Sequence, residues 1–179
     1  MTEISVKVGD LLDEVADVIV STGNPWLNMS GGVNGAILAR GGEAIQEELR
    51  AYLRGVGKPA VAPGTVVVTG PGGLRTKKIL HAVAIDPFYD SSIEMVRATV
   101  ERALTMAREL GAKTIAMPAL ATGYGHLSIE QFAEGLAGAM QKDWSSIKRL
   151  TIVVRKPEAA IAIQRSLNRP RQDDRRPTK

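Results

Sequence analysis

The sequence predicts a three-layer α/β/α fold around a mixed, mostly parallel six-stranded sheet. Three observations carry that prediction. Six short runs of aliphatic and β-branched residues alternate with about five stretches whose apolar residues recur at helical spacing. Most links between runs are long enough to cross a sheet face, which makes neighbouring strands parallel, and a single pair is close enough for a hairpin. With 179 residues, 44% of them hydrophobic and 23% charged, the chain is large enough to bury one core. Residues 1–168 are therefore read as one domain, followed by a basic tail over 169–179.

The elements follow in order. Ile4, Val6 and Val8 alternate with Ser5 and Lys7, the pattern of a half-exposed strand, and Gly9 and Asp10 end it. Leu11 to Ala16 is a short bridge of about one turn. Asp17 to Thr22 is apolar on both faces at Val18, Ile19 and Val20, which suits a central strand. Gly23 and Asn24 end it, and a loop with Pro25, Trp26, Asn28, Ser30, Gly31 and Gly32 leads to a helix from Val33 to Arg40. After Gly41 and Gly42 a second helix runs from Glu43 to Leu53.

Three glycines and two prolines make residues 55–64 a loop. Thr65 to Thr69 and Lys77 to Ile85 read as strands, joined by a Gly-Pro-Gly-Gly turn as a hairpin. Ser91 or Ser92 caps a long helix to Leu110, stopped by Gly111. A strand from Thr114 to Leu120, interrupted by Pro118, opens onto a second glycine loop at Thr122, Gly123, Tyr124, Gly125 and His126. Ser128 caps a helix to Lys142. Leu150 to Arg155 is the last strand, and Pro157 opens the last helix, where its missing N–H costs nothing.

Composition excludes several classes. With no cysteine there is no disulfide framework and no thiolate metal site, and two histidines are too few for an imidazole zinc cluster. Neither a metal nor a cofactor is implied. No apolar run approaches 18 residues, and the start MTEISVKVGD has no signal-peptide pattern, so a cytoplasmic, membrane-free protein is expected. The net charge of +4 owes much to RPRQDDRRPTK at the end, with five basic residues against two acidic. That segment is expected to be disordered and solvated, with electrostatic contact to nucleic acid as an alternative use.

In an open α/β sheet, ligands bind beyond the carboxyl ends of the strands. Four features fall there: Gly9 with Asp10, Asn24 with Gly31 and Gly32, the loop Thr122 to His126, and Arg155. Glycines let backbone N–H groups approach an anion, and a helix start adds unpaired N–H groups and a positive dipole end. Two such loops at one rim suit a diphosphate, and the Asp10 carboxylate suits an exocyclic amine such as that of adenine.

These motifs resemble the macrodomain family. VSTGN followed by SGGVNGAI is similar to its V-N-A-A-N and G-G-G-V-[DNA]-x-A-I signature. Gly9-Asp10-Leu11 resembles its Gly-Asp-Ile, KKILHAV its K-x-V-I-H-x-V strand, and PALATGYGHL its P-x-[IL]-[SG]-T-G-x-x-G loop. The likeness spans residues 4–167 and implies a cleft for ADP-ribose, free or attached to a macromolecule. Separately, a monomer is expected. The resemblance implies that Asp10 holds the adenine amine, with Leu11 at the adenine edge. Asn24 would bond the distal ribose. Gly31, Gly32, Val33 and Asn34 would line that ribose and the diphosphate. Thr122, Gly123, Tyr124, Gly125 and His126 would close over the diphosphate from the other side. Arg155 stands where the family often has an aromatic ring under the base; its guanidinium plane can stack there instead.

Departures bear on activity. Ser21 replaces the first asparagine, Asn34 stands where hydrolytic members that the chain resembles use an acidic residue, and Leu38 where they often have histidine. An amide cannot take a proton from water at neutral pH. The expectation is binding without efficient hydrolysis. The alternative is a hydrolase of ADP-ribosyl esters, with Asn24, Asn34 or His126 as catalytic candidates and Asp86 assisting. His81, inside an apolar strand, is expected to be a core residue, and Trp26, Phe88 and Tyr89 to lie at a rim.

Overall fold

The structure, a computed structural model, describes residues 1–168; the expected tail 169–179 lies outside the described residues. Strands are β1 (Glu3–Val8), β2 (Val18–Gly23), β3 (Val66–Thr69), β4 (Lys78–Val83), β5 (Thr114–Pro118) and β6 (Arg149–Val154). Helices are α1 (Gly32–Gly41), α2 (Ala44–Val56), α3 (Ile93–Glu109), α4 (Ile129–Ala139) and α5 (Pro157–Leu167), with a 3₁₀ turn at Leu11–Asp13. The sheet order is β1-β6-β5-β2-β4-β3. The hairpin β3–β4 is antiparallel and every other neighbouring pair is parallel. The expected mixed, mostly parallel six-stranded sheet is therefore the observed one.

Alternation along the strands divides the core. Val18 and Val20 of β2 and Leu80 and Ala82 of β4 face a large core built with Val96, Val100, Leu104, Phe132, Leu136 and Ile163 of α3, α4 and α5. The residues between them point the other way. Ile79 and Val83 pack with Ile37, Ile45 and Leu49 of α1 and α2. Ile19 packs with Leu11, Ala116 and Val153. Burying side chains of this size contributes roughly 1.5–3 kcal/mol each. Both sheet faces are covered, as parallel strands require.

Element ends differ modestly from the sequence reading. The α2 helix runs through Gly55 to Val56 and stops at Gly57, whose φ of 66° gives the left-handed turn that only glycine adopts freely. Two good apolar turns upstream hold Gly55 in the helix against its weak propensity. Strand β5 ends at Pro118 instead of Leu120, since proline has no N–H for the ladder. Helix α4 stops at Ala139 instead of Lys142. Ser92, and not Ser91, caps α3, accepting from Met95 N–H.

Two polar groups, a half-buried carboxylate and a buried imidazole, lock the sheet. Asp17 accepts from the N–H groups of Lys113 (2.8 Å) and Thr114 (3.0 Å) and pairs with Lys77 at 2.8 Å. The Lys77 bond and these amides lower its carboxyl to about 2. His81 is 1% exposed. Its Nε2 lies 2.9 Å from Thr69 Oγ1, which donates to the Gly70 carbonyl. The threonine oxygen therefore accepts, and His81 is a neutral imidazole with its proton on Nε2. Burial lowers its pKa to about 4.

Candidate functional site

Parallel pairing brings the carboxyl ends of β1, β6, β5, β2 and β4 to one rim. Crossovers leave from that rim, so loops and helix starts surround it. They enclose a cleft of about 1050 Å³. Of the sequence-nominated residues, Asp10, Leu11, Asn24, Gly31, Gly32 and Val33 line it. Asn34, Thr122, Gly123, Tyr124, Gly125 and Arg155 also line it. His126 does not. Its ring turns outward to Asp90, with Nδ1 2.8 Å from Oδ1, and its N–H donates to the Tyr89 carbonyl at 3.2 Å. Asp86 also stays off the cleft wall, because its Oδ1 accepts from the N–H groups of Phe88 (2.8 Å) and Asp90 (2.9 Å).

The β2–α1 connection forms the first wall. Gly31 (φ 66°) and Gly32 (φ 54°) hold left-handed backbone conformations, which brings the chain sharply into α1. No side chain caps α1 at Gly31. The first bond into the helix from outside it is Gly35 N–H to the Gly31 carbonyl at 2.8 Å. The N–H groups of the first turn and the positive dipole end thus face the cleft without a side-chain acceptor. Asn24 shapes the loop: its Nδ2 donates to the Asn28 carbonyl at 2.8 Å, and its Oδ1 accepts from Trp26 (3.1 Å) and Asn28 (3.2 Å) N–H groups. That use of the side chain is structural, although its residue borders the cleft.

Asn34 is 6% exposed and committed on both sides. Its Oδ1 accepts from the hydroxyl of Ser21, and its Nδ2 donates to the Thr22 carbonyl at 2.6 Å. Two of the three departures from the family pattern, Ser21 and Asn34, thus meet in one contact, which ties the first turn of α1 to β2. An amide held this way offers no base toward the cleft.

The β5–α4 connection forms the opposite wall. Tyr124 reaches across to the glycine turn, where a Cβ built on Gly31 would run into the Tyr124 hydroxyl. A Cβ on Gly125 would run into the Ala121 backbone. Leu27, Tyr89 and Ala121 are the non-glycine residues with positive φ among the described residues. One lies in each of the three loops that meet at this end of the cleft. Such backbone conformations cost on the order of 1–3 kcal/mol each and concentrate at functional sites.

At the other end, Asp10 caps the 3₁₀ turn, accepting from Leu12 N–H at 2.9 Å through Oδ1. Its Oδ2 faces two guanidiniums, Arg40 at 3.0 Å and Arg155 at 3.4 Å. The Leu12 hydrogen bond, with Arg155 and Arg40 adding to it against desolvation, holds this carboxyl below its usual range. Arg40 also binds Asp13 at 3.1 Å. Sequence reasoning missed Arg40. A signal existed, since Val33, Ala36 and Arg40 share one helix face and the first two line the cleft. Tyr89 was expected at a rim and lines the cleft as well.

A cleft of this kind, at the carboxyl rim of an α/β sheet with a bare helix start on its wall, defines a small-molecule site suited to an anionic ligand. Comparison with known proteins then gives the family. The Macro domain family model matches residues 20–136, and the chain belongs to the macrodomain family. It is 37% identical over 164 residues to an uncharacterized protein of Pyrobaculum aerophilum, covering 88% of this chain and 86% of that one. The fold matches the macrodomain of Oceanobacillus iheyensis with ADP, with a TM-score of 0.79 at 23% identity, covering 90% of this chain and 88% of that one. It also matches the Trypanosoma brucei macrodomain in complex with ADP-ribose, with a TM-score of 0.78 at 20% identity, covering 91% of this chain and 68% of that one.

Proposed function

We propose that the chain binds ADP-ribose, free or as a mono-ADP-ribosyl group, in the cleft at the carboxyl rim of its sheet. The observation that carries the reading is the uncapped start of α1, opening into the cleft opposite the Thr122–Gly125 loop. The diphosphate takes the place of the missing cap and is held by backbone N–H groups of Gly32, Val33 and Asn34. Tyr124 and the backbone of the second loop cover it. Adenine lies at the Asp10 end, where the carboxylate accepts from the exocyclic amine, Leu11 packs at the base edge, and the Arg155 guanidinium stacks on the ring. Macrodomain relatives with ADP and with ADP-ribose support the ligand class.

Binding, not turnover, is the activity. Asn34 is held between Ser21 and Thr22, and Leu38 brings no polar group. Calorimetric titration of the protein with ADP-ribose, ADP, AMP and NAD tests the reading. ADP-ribose binds tightest, and Asp10→Ala weakens it about tenfold, the effect of a lost charge-assisted hydrogen bond. Equal affinity for ADP-ribose and AMP removes the proposal.

A further inference from the structure

The end of the cleft away from Asp10 carries an aromatic rim. The chain has two Trp, three Tyr and two Phe. Of these seven rings, Phe132 and Trp144 are core, and four stand exposed on the three connections at this end of the cleft. Trp26 is 40% exposed, Phe88 77%, Tyr89 39% and Tyr124 67%. They come from three different connections, β2–α1, β4–α3 and β5–α4, so folding alone brings them together. Trp26 and Tyr89 are tilted against each other with centroids 6.5 Å apart. The rim is continuous with the cleft, because Tyr89 and Tyr124 line both.

Charge selects the occupant. Residues 24–31, 86–92 and 119–130 contain no Lys or Arg, although the chain has 23 of them. They do contain Asp86, Asp90 and Glu130, and Glu130 lines the cleft. Asp90 sits beside His126 and its side chain is 67% exposed. In a chain of net charge +4, these three connections thus carry three carboxylates and no lysine or arginine. Phosphates of a nucleic acid are repelled there, whereas guanidinium and ammonium groups gain both the carboxylates and the ring faces.

We propose that this rim docks an arginine- or lysine-rich protein segment flanking the residue that presents ADP-ribose. The inference rests on the ADP-ribose reading of the cleft and names the carrier: a basic polypeptide. Arginine side chains lie over Trp26 and Phe88, with Asp90 and Glu130 as their counter-ions, while the ADP-ribosyl group fills the cleft. Charged contacts of this exposure are screened by salt, so the preference falls at high ionic strength.

The test compares four ligands by titration with the full chain: free ADP-ribose, an ADP-ribosylated serine peptide flanked by arginines, the same peptide flanked by glutamates, and an oligonucleotide with a terminal ADP-ribose. The arginine peptide is expected to bind about tenfold tighter than free ADP-ribose, and the glutamate peptide and the oligonucleotide no tighter. Phe88→Ala and Asp90→Asn, both off the cleft wall, should each remove at least half of that advantage on a logarithmic scale while free ADP-ribose binds as before. Equal affinity for both peptides, or tightest binding of the oligonucleotide, overturns this inference and leaves the cleft reading intact. Failure of free ADP-ribose to bind at all sinks the cleft reading instead.

Discussion

Helices α1 and α4 invite comparison. Each follows a parallel strand of the same sheet, starts at the same rim and is entered through a glycine loop. Their first turns are finished differently. Ser128 accepts from Gln131 N–H at 3.2 Å, and the Gln131 side chain accepts from Ser128 N–H at 2.9 Å, a complete capping box. At α1 the cap position is Gly31, which has no side chain to give. The helix that supplies its own acceptor has less to offer an anion, and the helix that lacks one has its donors free. Two glycine loops that look alike in sequence therefore divide the work: one presents a helix end, the other a loop backbone and a tyrosine.

Placing a side chain at the bare start should break this division most. Gly31→Val introduces a β-branched residue at φ 66° and drives a Cβ toward Tyr124. ADP-ribose affinity should fall at least about a hundredfold, roughly 2.7 kcal/mol, with the far-UV circular dichroism unchanged. Retained binding would mean that the α1 start is not the anion site. Next comes the tether that fixes α1. Asn34→Asp sets a carboxylate oxygen against the Thr22 carbonyl where an N–H now donates at 2.6 Å. Urea unfolding at neutral pH should show a loss of about 2 kcal/mol. A neutral effect would show that this contact does not hold the helix.

On the opposite wall, Gly125→Ala presses a methyl group into the Ala121 backbone and reshapes the loop. About a tenfold loss of ADP-ribose affinity is expected from titration, smaller than at Gly31 because no helix end is disturbed. A loss larger than that of Gly31→Val would reverse the roles of the two walls. The smallest effect sharpens the contrast. Ser128→Ala removes a cap that serves stability alone, costing about 1 kcal/mol in a denaturation experiment. The affinity for ADP-ribose should stay within twofold, and a large loss would show that α4 takes part in binding after all.

Much of the frame was legible because its signals are local. The double-faced apolar run at Val18–Val20 marked β2 as interior, and it lies between β5 and β4. The turn residues at 70–73 announced the β3–β4 hairpin, which pairs Val66 with Ala82 and Thr69 with Ile79. The glycine loops marked the cleft because close backbone approach needs glycine wherever it occurs. What escaped were orientations. His126 stands in the right loop and turns to Asp90. Asn24 stands at the rim and spends its amide on the loop. Arg40 lies thirty residues from Asp10 in the chain and meets its carboxylate.

Period, capping residues and turn chemistry act over a few residues, so the order of amino acids alone set the strands, the helices and the side of the sheet on which a ligand sits. Partners that meet across tens of residues depend on how the sheet orders its strands and how closely the layers pack. Only that packing decided that Ser21 would occupy Asn34, that Arg40 and Arg155 would converge on Asp10, and that three loops carrying four exposed aromatic rings would meet at one end of the cleft. A hydrogen bond or a ring contact is fixed within a few tenths of an ångström, and no local rule of the chain carries that precision across the fold.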